Sequence, residues 1–232
     1  MRVRVFRDAA HLAESAADEI AAWLRVDSDR PTIGLAGGRT PQATYERLRS
    51  IRLPWDDIHI WMTDERFVPP DHAESNARMA REALVDHVPA VFHPVPHRPD
   101  DPAGSAAAYE EELARFLPIG PGGIQPGLVL LGVGEDGHTA SLFPGSEALD
   151  VDRRGYVANW AGGLGWRLTS TMSLLSSARR TMFIVSGAGK APIVADILGD
   201  DSSDHPAALV SEAARDAVWL LDRDAAAGLS FD

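Results

Sequence analysis

The chain has 232 residues, 24% of them charged, with 34 Asp and Glu against 22 Lys and Arg, a formal net charge of −12 and a pI near 5.0. Cationic residues never run more than two in succession, which excludes the many-contact basic surface that a nucleic-acid partner needs; the absence of cysteine removes disulfides, thiolate metal sites and a thiol nucleophile together. At 45% hydrophobic content the composition is that of an ordinary globular protein, read as one α/β domain over residues 1–232.

Residues 2–7 alternate charged and apolar side chains and predict a strand, after which Asp8 caps a helix with apolar Leu12, Ala16, Ile20, Trp23 and Leu24 at helical spacing. Residues 32–36 predict a short buried strand and Gly37-Gly38-Arg39 a turn. Thr40-Pro41 then supplies the N-cap and first-turn proline of a helix to about Ser50. A strand is expected over 58–62, a long polar loop over 63–74, and a helix from its cap Ser75 to about Val88. There follow a strand at 91–95, an Ala- and Glu-rich helix over 101–117, a Gly/Pro connector over 118–126 and the buried strand Leu128–Leu131. Strands at Tyr156–Trp160, 181–185 and 217–221 and a helix over 191–198 complete the series. Strands alternating with helices predict a largely parallel sheet covered on both faces, with ligands at the C-terminal ends of the strands. The first eight residues lack the apolar core of a leader and no apolar stretch has the length of a membrane span. The expectation is a cytoplasmic protein without a membrane partner, compatible with a monomer or a small homo-oligomer.

Three glycine-bearing turns follow predicted strands. Gly132-Val-Gly134-Glu-Asp-Gly137 satisfies the G-x-G-x-x-G dinucleotide pattern, but Pro144-Gly145 interrupts the helix that a pyrophosphate site needs, so NAD is not expected. Ser186-Gly187-Ala188-Gly189-Lys190 resembles the end of a P-loop; the earlier glycine would fall at Ile184 and the magnesium-binding hydroxyl at Ala191, so an NTPase is not expected either. Gly37-Gly38-Arg39-Thr40-Pro41 suits one phosphate monoester. Its glycines let backbone N–H groups approach an anion, and the helix that follows points its positive end at the same place. As a plain strand-to-helix turn the same residues would have no ligand.

Taken together, Gly37-Gly38-Arg39-Thr40-Pro41, the run from Thr63-Asp64-Glu65-Arg66 through Pro69 with Ser75-Asn76, and Asp136-Gly137-His138-Thr139-Ala140-Ser141-Leu142-Phe143-Pro144-Gly145 resemble the 6-phosphogluconolactonase family. Arg167-Leu-Thr-Ser-Thr, the Lys190 turn and the last strand, with the Ala-rich segment after it, are similar to that family as well, in the same order along the chain. The resemblance implies the three-layer α/β/α fold of ribose-5-phosphate isomerase, glucosamine-6-phosphate deaminase and CoA transferases. It implies hydrolysis of 6-phospho-D-glucono-1,5-lactone, with no cofactor and no metal.

Opening a lactone needs a base for water, donors for the oxyanion, a proton for the leaving oxygen and an anchor for the phosphate. His138 is the candidate base, since imidazoles titrate near neutrality and this one lies in a Gly-flanked turn beyond a strand end. Asp136 would orient it. The other seven histidines, His205 among them, read as solvent-facing. An Asp-x-His pair can also ligate metal, but no second ligand cluster at metal spacing accompanies it. Asp64 would accept sugar hydroxyls or share in proton transfer, and Arg66 would bind phosphate or a sugar oxygen, with Glu65 in the same charged loop. For Arg167 and Lys190 the resemblance implies a phosphate-side role that supplements Gly37, Gly38, Arg39 and Thr40. Trp61, Trp160 and Trp166 read as packing residues.

Two rivals share these motifs. A glucosamine-6-phosphate deaminase carries a glutamate five residues after the motif histidine, where this chain has Phe143. A sugar-phosphate sensor usually carries a DNA-binding segment, for which a first strand beginning near residue 2 leaves no room.

Overall fold

Strands and helices alternate from the start of the chain. β1 (Arg2–Phe6) leads into α1 (Ala9–Val26), β2 (Thr32–Leu35) into α2 (Arg39–Leu48), β3 (His59–Met62) and β4 (Asp64–Arg66) into α3 (Asn76–Ala83), and β5 (Val91–His93) into α4 (Pro102–Phe116). The second half holds the ribbon β6 (Ile119–Gly120) and β7 (Gly123–Ile124), then β8 (Leu128–Leu131), β9 (Tyr156–Trp160), β10 (Trp166–Ser170), α5 (Met172–Ser176), β11 (Arg180–Val185), α6 (Ala191–Leu198), α7 (Pro206–Ala213) and β12 (Ala217–Asp222). The structure is a computed structural model that describes residues 1–26, 31–199 and 203–230.

Seven strands form one sheet in the order β1-β12-β11-β8-β2-β3-β5, with every pair parallel. A parallel sheet is buried on both faces, so its strands read as continuous apolar runs rather than alternating ones; β2, β8 and β12 are buried at every residue. Helices flank the sheet in a three-layer α/β/α arrangement: α1 packs on α2 and α2 on α3, while α5 and α6 pack on α7. The order places β2 beside β8 although their onward connections leave in opposite directions, toward β3 on one side and β11 on the other. Such a switch point opens a crevice at the C-terminal strand ends.

A second, antiparallel sheet in the order β4-β10-β9 overhangs that crevice. Thr63 is the branch point between the two sheets. Its backbone N–H and hydroxyl both donate to the Leu35 carbonyl of β2, at 2.9 and 3.0 Å, and its own carbonyl accepts from Ser170 of β10 at 2.9 Å.

Several expectations are corrected. The expected loop over 63–74 opens with the strand β4, whose charged residues fill positions in the small sheet. Tyr156–Trp160 is a strand but belongs to the small sheet, with β10, which sequence patterning did not mark. Thr40 is not the N-cap of α2. Gly38 holds that position, with φ 107°, where a side chain is disfavoured. The cap expected of Ser75 is present, its hydroxyl accepting from Arg78 N–H at 3.1 Å, but α3 ends at Ala83 and a short 3-10 turn, Val85–His87, follows. The connector contains the β6–β7 ribbon, and α5 and α7 were not expected. Trp160 and Trp166 are 56% and 41% exposed and meet edge to face at 5.3 Å, whereas Trp61 is a fully buried packing residue. His59 and His93 are half-buried partners, ring nitrogens 2.9 Å apart, rather than solvent-facing.

Candidate active site

The crevice is a cavity of about 560 Å³ bounded by four segments. Residues 36–41 form the first wall, and Tyr45 holds its entry: the buried hydroxyl accepts from Ala36 N–H at 3.0 Å and donates to the Ala36 carbonyl at 2.9 Å. Gly37 has no room for a side chain, because a Cβ would lie 2.0 Å from Oδ1 of buried Asn76. α2 begins on this wall, so its first-turn N–H groups, which have no intrahelical acceptor, are available to an anion there.

β4 and β10 form the second wall. Arg66 stands directly across from Arg167 in the antiparallel register, and both line the cavity. Like charges in that relation are destabilising; a bound anion between them removes the repulsion. Arg167 holds its proton less firmly than an ordinary guanidinium, first because it is partly buried and then because Arg66 faces it. Beside them Asp64 is 6% exposed and accepts from Ser141 Oγ at 2.7 Å and, at a long 3.4 Å, from Asn76 Nδ2. Burial raises its pKa, against the pull of Ser141, Arg66, His138 and Arg167.

The third wall is the turn after β8. Thr139 Oγ1 donates to the Gly132 carbonyl at 2.8 Å, and Gly134 N–H donates to the His138 carbonyl at 2.8 Å, closing the turn on itself. His138 Nδ1 lies 2.5 Å from Asp136 Oδ1, and its ring sits directly over Gly134, where a Cβ would come within 2.1 Å of it. Burial alone would raise the Asp136 carboxyl, but the backbone N–H and imidazole of His138 outweigh that and hold it below the usual carboxylate range. On the other side the Phe143 ring lies 4.6 Å from the imidazole. No helix opens after Gly137, as the dinucleotide pattern would require; the next helical segment is the 3-10 turn Glu147–Asp150. Ser141 fixes this turn to the small sheet. Its N–H donates to Thr169 Oγ1 at 3.2 Å and its carbonyl accepts from Asn159 Nδ2 at 2.8 Å.

The fourth wall, 184–190, carries Lys190. Asp222, at the end of β12, holds it by accepting from Ser186 Oγ at 2.6 Å and Gly187 N–H at 3.0 Å.

Gly37, Gly38, Arg39, Thr40, Asp64, Arg66, His138, Arg167 and Lys190 thus line one cavity, and Asp136 reaches it through His138. Glu65 does not. Its buried carboxylate turns to the start of α3, accepting from Asn76 N–H at 2.6 Å, Ala77 N–H at 2.7 Å and Ser75 Oγ at 3.1 Å. Asn76, Ser141 and Asp222 were given no role from sequence; the first two lie inside the recognised runs, and Asp222 closes the last stretch that resembles the family. Among the described residues no group of three or more His, Asp or Glu side chains is arranged to hold a metal ion.

The profile described as "Glucosamine-6-phosphate isomerases/6-phosphogluconolactonase" matches residues 7–219. The chain belongs to this family. A 6-phosphogluconolactonase of Nostoc sp. (strain PCC 7120) is 44% identical over 209 residues, covering 87% of this chain and 85% of that protein. Among solved structures, the 6-phosphogluconolactonase of Trypanosoma brucei is similar with a TM-score of 0.89 at 30% identity, covering 99% of this chain and 98% of that one. A monomeric glucosamine-6-phosphate deaminase is similar in fold alone, with a TM-score of 0.84 at 22% identity and coverage of 99% and 100%. Family membership spans both activities, and within it the apolar Phe143 ring against His138 is the feature that bears on the choice between them.

Proposed function

We propose that this member of the family hydrolyses 6-phospho-D-glucono-1,5-lactone to 6-phosphogluconate, the second step of the oxidative pentose phosphate pathway. The observation that carries the reading is an Asp136–His138 pair at the edge of a cavity that also holds Arg66 across from Arg167, a base and an anion site within one crevice. Asp136, ionised throughout the neutral range, accepts the proton on Nδ1, so Nε2 is the nitrogen left to receive one from water. As the water oxygen bonds to C1, the carbonyl becomes an oxyanion, stabilised by the positive potential of the cavity. The C1–O5 bond then breaks, and the imidazolium returns its proton to O5 as a hydroxyl. Asp64, with one oxygen committed to Ser141, has on the other only the long contact from Asn76 Nδ2 and can accept there from a sugar hydroxyl.

The phosphate is held by the cations Arg66, Arg167 and Lys190 together with Arg39 and the first-turn amides of residues 38–40. A cavity of about 560 Å³ is of the size that takes a sugar phosphate. Phe143 cannot transfer a proton, so the ring-opening acid of a deaminase has no counterpart at that position. Its four walls draw on residues 36 to 190, with Asp222 behind the last, which supports reading the chain as one domain. No helix of the described residues is long and apolar enough to cross a membrane. The cytoplasm is the compartment this function assigns, since a sugar-phosphate dianion does not cross lipid unaided.

The test is a rapid assay on freshly generated lactone against the spontaneous background. Turnover is expected with the phosphorylated lactone, at a KM well below that for gluconolactone, and unchanged by EDTA; His138→Ala should lower kcat by about 10²–10⁴-fold. Equal rates on the two lactones would overturn the phosphate anchor, loss to EDTA would revive a metal, and wild-type turnover by the variant would remove His138 as base.

A further inference from the structure

The turn that carries His138 is gripped from behind by a second Asp–His pair that no step above uses. Gly137 has a left-handed φ of 80° and packs its bare Cα against the His205 ring, where a Cβ would lie 2.4 Å from Cγ and Nδ1. His205 Nε2 in turn lies 2.6 Å from Asp196 Oδ2. The Gly137 carbonyl, part of the peptide unit that leads into His138, accepts from Ala207 N–H at 3.1 Å. His205 is the N-cap residue of α7 and Ala207 lies in its first turn, whereas Asp196 belongs to α6, the helix that starts on the residue after Lys190. The inner pair, Asp136–His138, sets the rotation of the imidazole; the outer pair sets the backbone from which the imidazole hangs.

We propose that Asp196 and His205 are positioning residues for the base, holding Gly137 so that His138 Nε2 is presented at the geometry water attack requires. The inference rests on the reading of His138 given above. His138 sits on a turn, not on a helix or strand, so its placement depends on what packs against that turn. A misplacement on the order of 1 Å lowers the rate about 10²-fold. The pair lies outside the cavity wall and touches none of Arg39, Arg66, Arg167 or Lys190 among the described contacts, so its removal should act on kcat and leave substrate binding alone. His205 is half-buried and Asp196 is exposed, which argues against a plain packing role: the gain from hydrophobic burial at this place is small.

The experiment is steady-state kinetics on the full chain with the phosphorylated lactone. His205→Ala is expected to lower kcat about 10–100-fold with KM within about twofold of the parent, the size of effect a small misplacement produces. His205→Gln, whose Nε2 still reaches Asp196, should recover kcat to within about threefold, and Asp196→Asn should fall between the two. Added to His138→Ala, His205→Ala should change the residual rate by less than about twofold, since residues acting as a unit are not additive. Binding of 6-phosphogluconate by calorimetry reports whether each variant is folded, and is expected to match the parent. An active parent whose His205→Ala variant keeps kcat, or loses it by raising KM alone, overturns this inference by itself. So does a His205→Ala loss that persists at full size on the His138→Ala background. A His205→Ala chain that no longer binds 6-phosphogluconate assigns the pair to stability and overturns it too. A parent with no turnover above background instead overturns the function proposed for the site, and this inference with it.

Discussion

A glycine decides where the imidazole rests. With hydrogen at Gly134 the His138 ring lies on the backbone; with a methyl group there, 2.1 Å from Nδ1, either the ring or the turn must move, and the contact to Asp136 moves with it. Gly134→Ala is therefore expected to lower kcat about 100-fold at little changed KM, as read in the lactone assay. Asp64 shows the opposite tension, between function and stability. Its folded pKa is raised by burial above the unfolded value near 3.8, so the folded state takes up its proton more readily than the unfolded one. The penalty for ionising it is absent below that value and grows as the pH rises through the folded pKa. Asp64→Asn should thus melt at a higher temperature than the parent at pH 7, and the difference should close as the pH falls below the ordinary carboxylate range. A melting difference independent of pH would show that ionisation of Asp64 is not its origin. Under the proposed function the same variant should also lose turnover, because it removes the carboxylate assigned to accept from a sugar hydroxyl.

At the scale of elements, the site is assembled by short segments that tie one layer to another. Asp222 ends β12 and binds the Ser186–Gly187 turn, which delivers Lys190 to the cavity. Asp222→Asn replaces one acceptor oxygen with a donor facing the Ser186 hydroxyl and the Gly187 N–H. The expected result is a rise of about tenfold in KM for the phosphorylated lactone with a smaller change in kcat, the loss of about one charge-assisted hydrogen bond. The central parallel strands were legible because burial on both faces writes a continuous apolar run, as in Leu128-Val-Leu-Leu131, the edge strand β1 by its alternation, and the caps Asp8, Ser75 and Asp101 were legible or lay at predicted starts because a capping side chain acts locally. β4 was not legible. Asp64-Glu65-Arg66 is charged throughout and reads as loop; it pairs as a strand because Thr63 leaves the main sheet beside β10 and because Glu65 finds its donors at the start of α3. Those partners lie 10 or more residues away, where neither period nor propensity reaches. That the residues named from recognised runs line one cavity was legible, but the facing of Arg66 on Arg167, the seat of His138 on Gly134 and the hold of Asp222 on the 186–187 turn are facts of tertiary register.

For the molecule as a whole, the acidic surface and the anionic substrate are reconciled by concentrating cations where the crevice opens. A net charge of −12 is spread over 232 residues, while Arg39, Arg66, Arg167 and Lys190 converge on one cavity; among the described residues Asp64 and Glu74 line it on the acidic side, with Asp136 behind His138. That island uses the single lysine of the chain, against 21 arginines. An arginine-rich sequence has a further chemical consequence. A lactone is an activated ester, and unprotonated amines open it to form amides; guanidinium groups, protonated at every physiological pH, do not. An enzyme that binds such an ester all its working life is exposed to acylation by its own substrate, and this chain offers it one ε-amine. Prolonged incubation with excess lactone, followed by peptide mass mapping, is expected to find adducts at the N-terminal amine and at Lys190 and at no other side chain, with inactivation tracking the Lys190 adduct. Adducts spread over arginine peptides would contradict it. The near absence of lysine then works as a form of chemical durability, a surface with almost nothing for the substrate to modify.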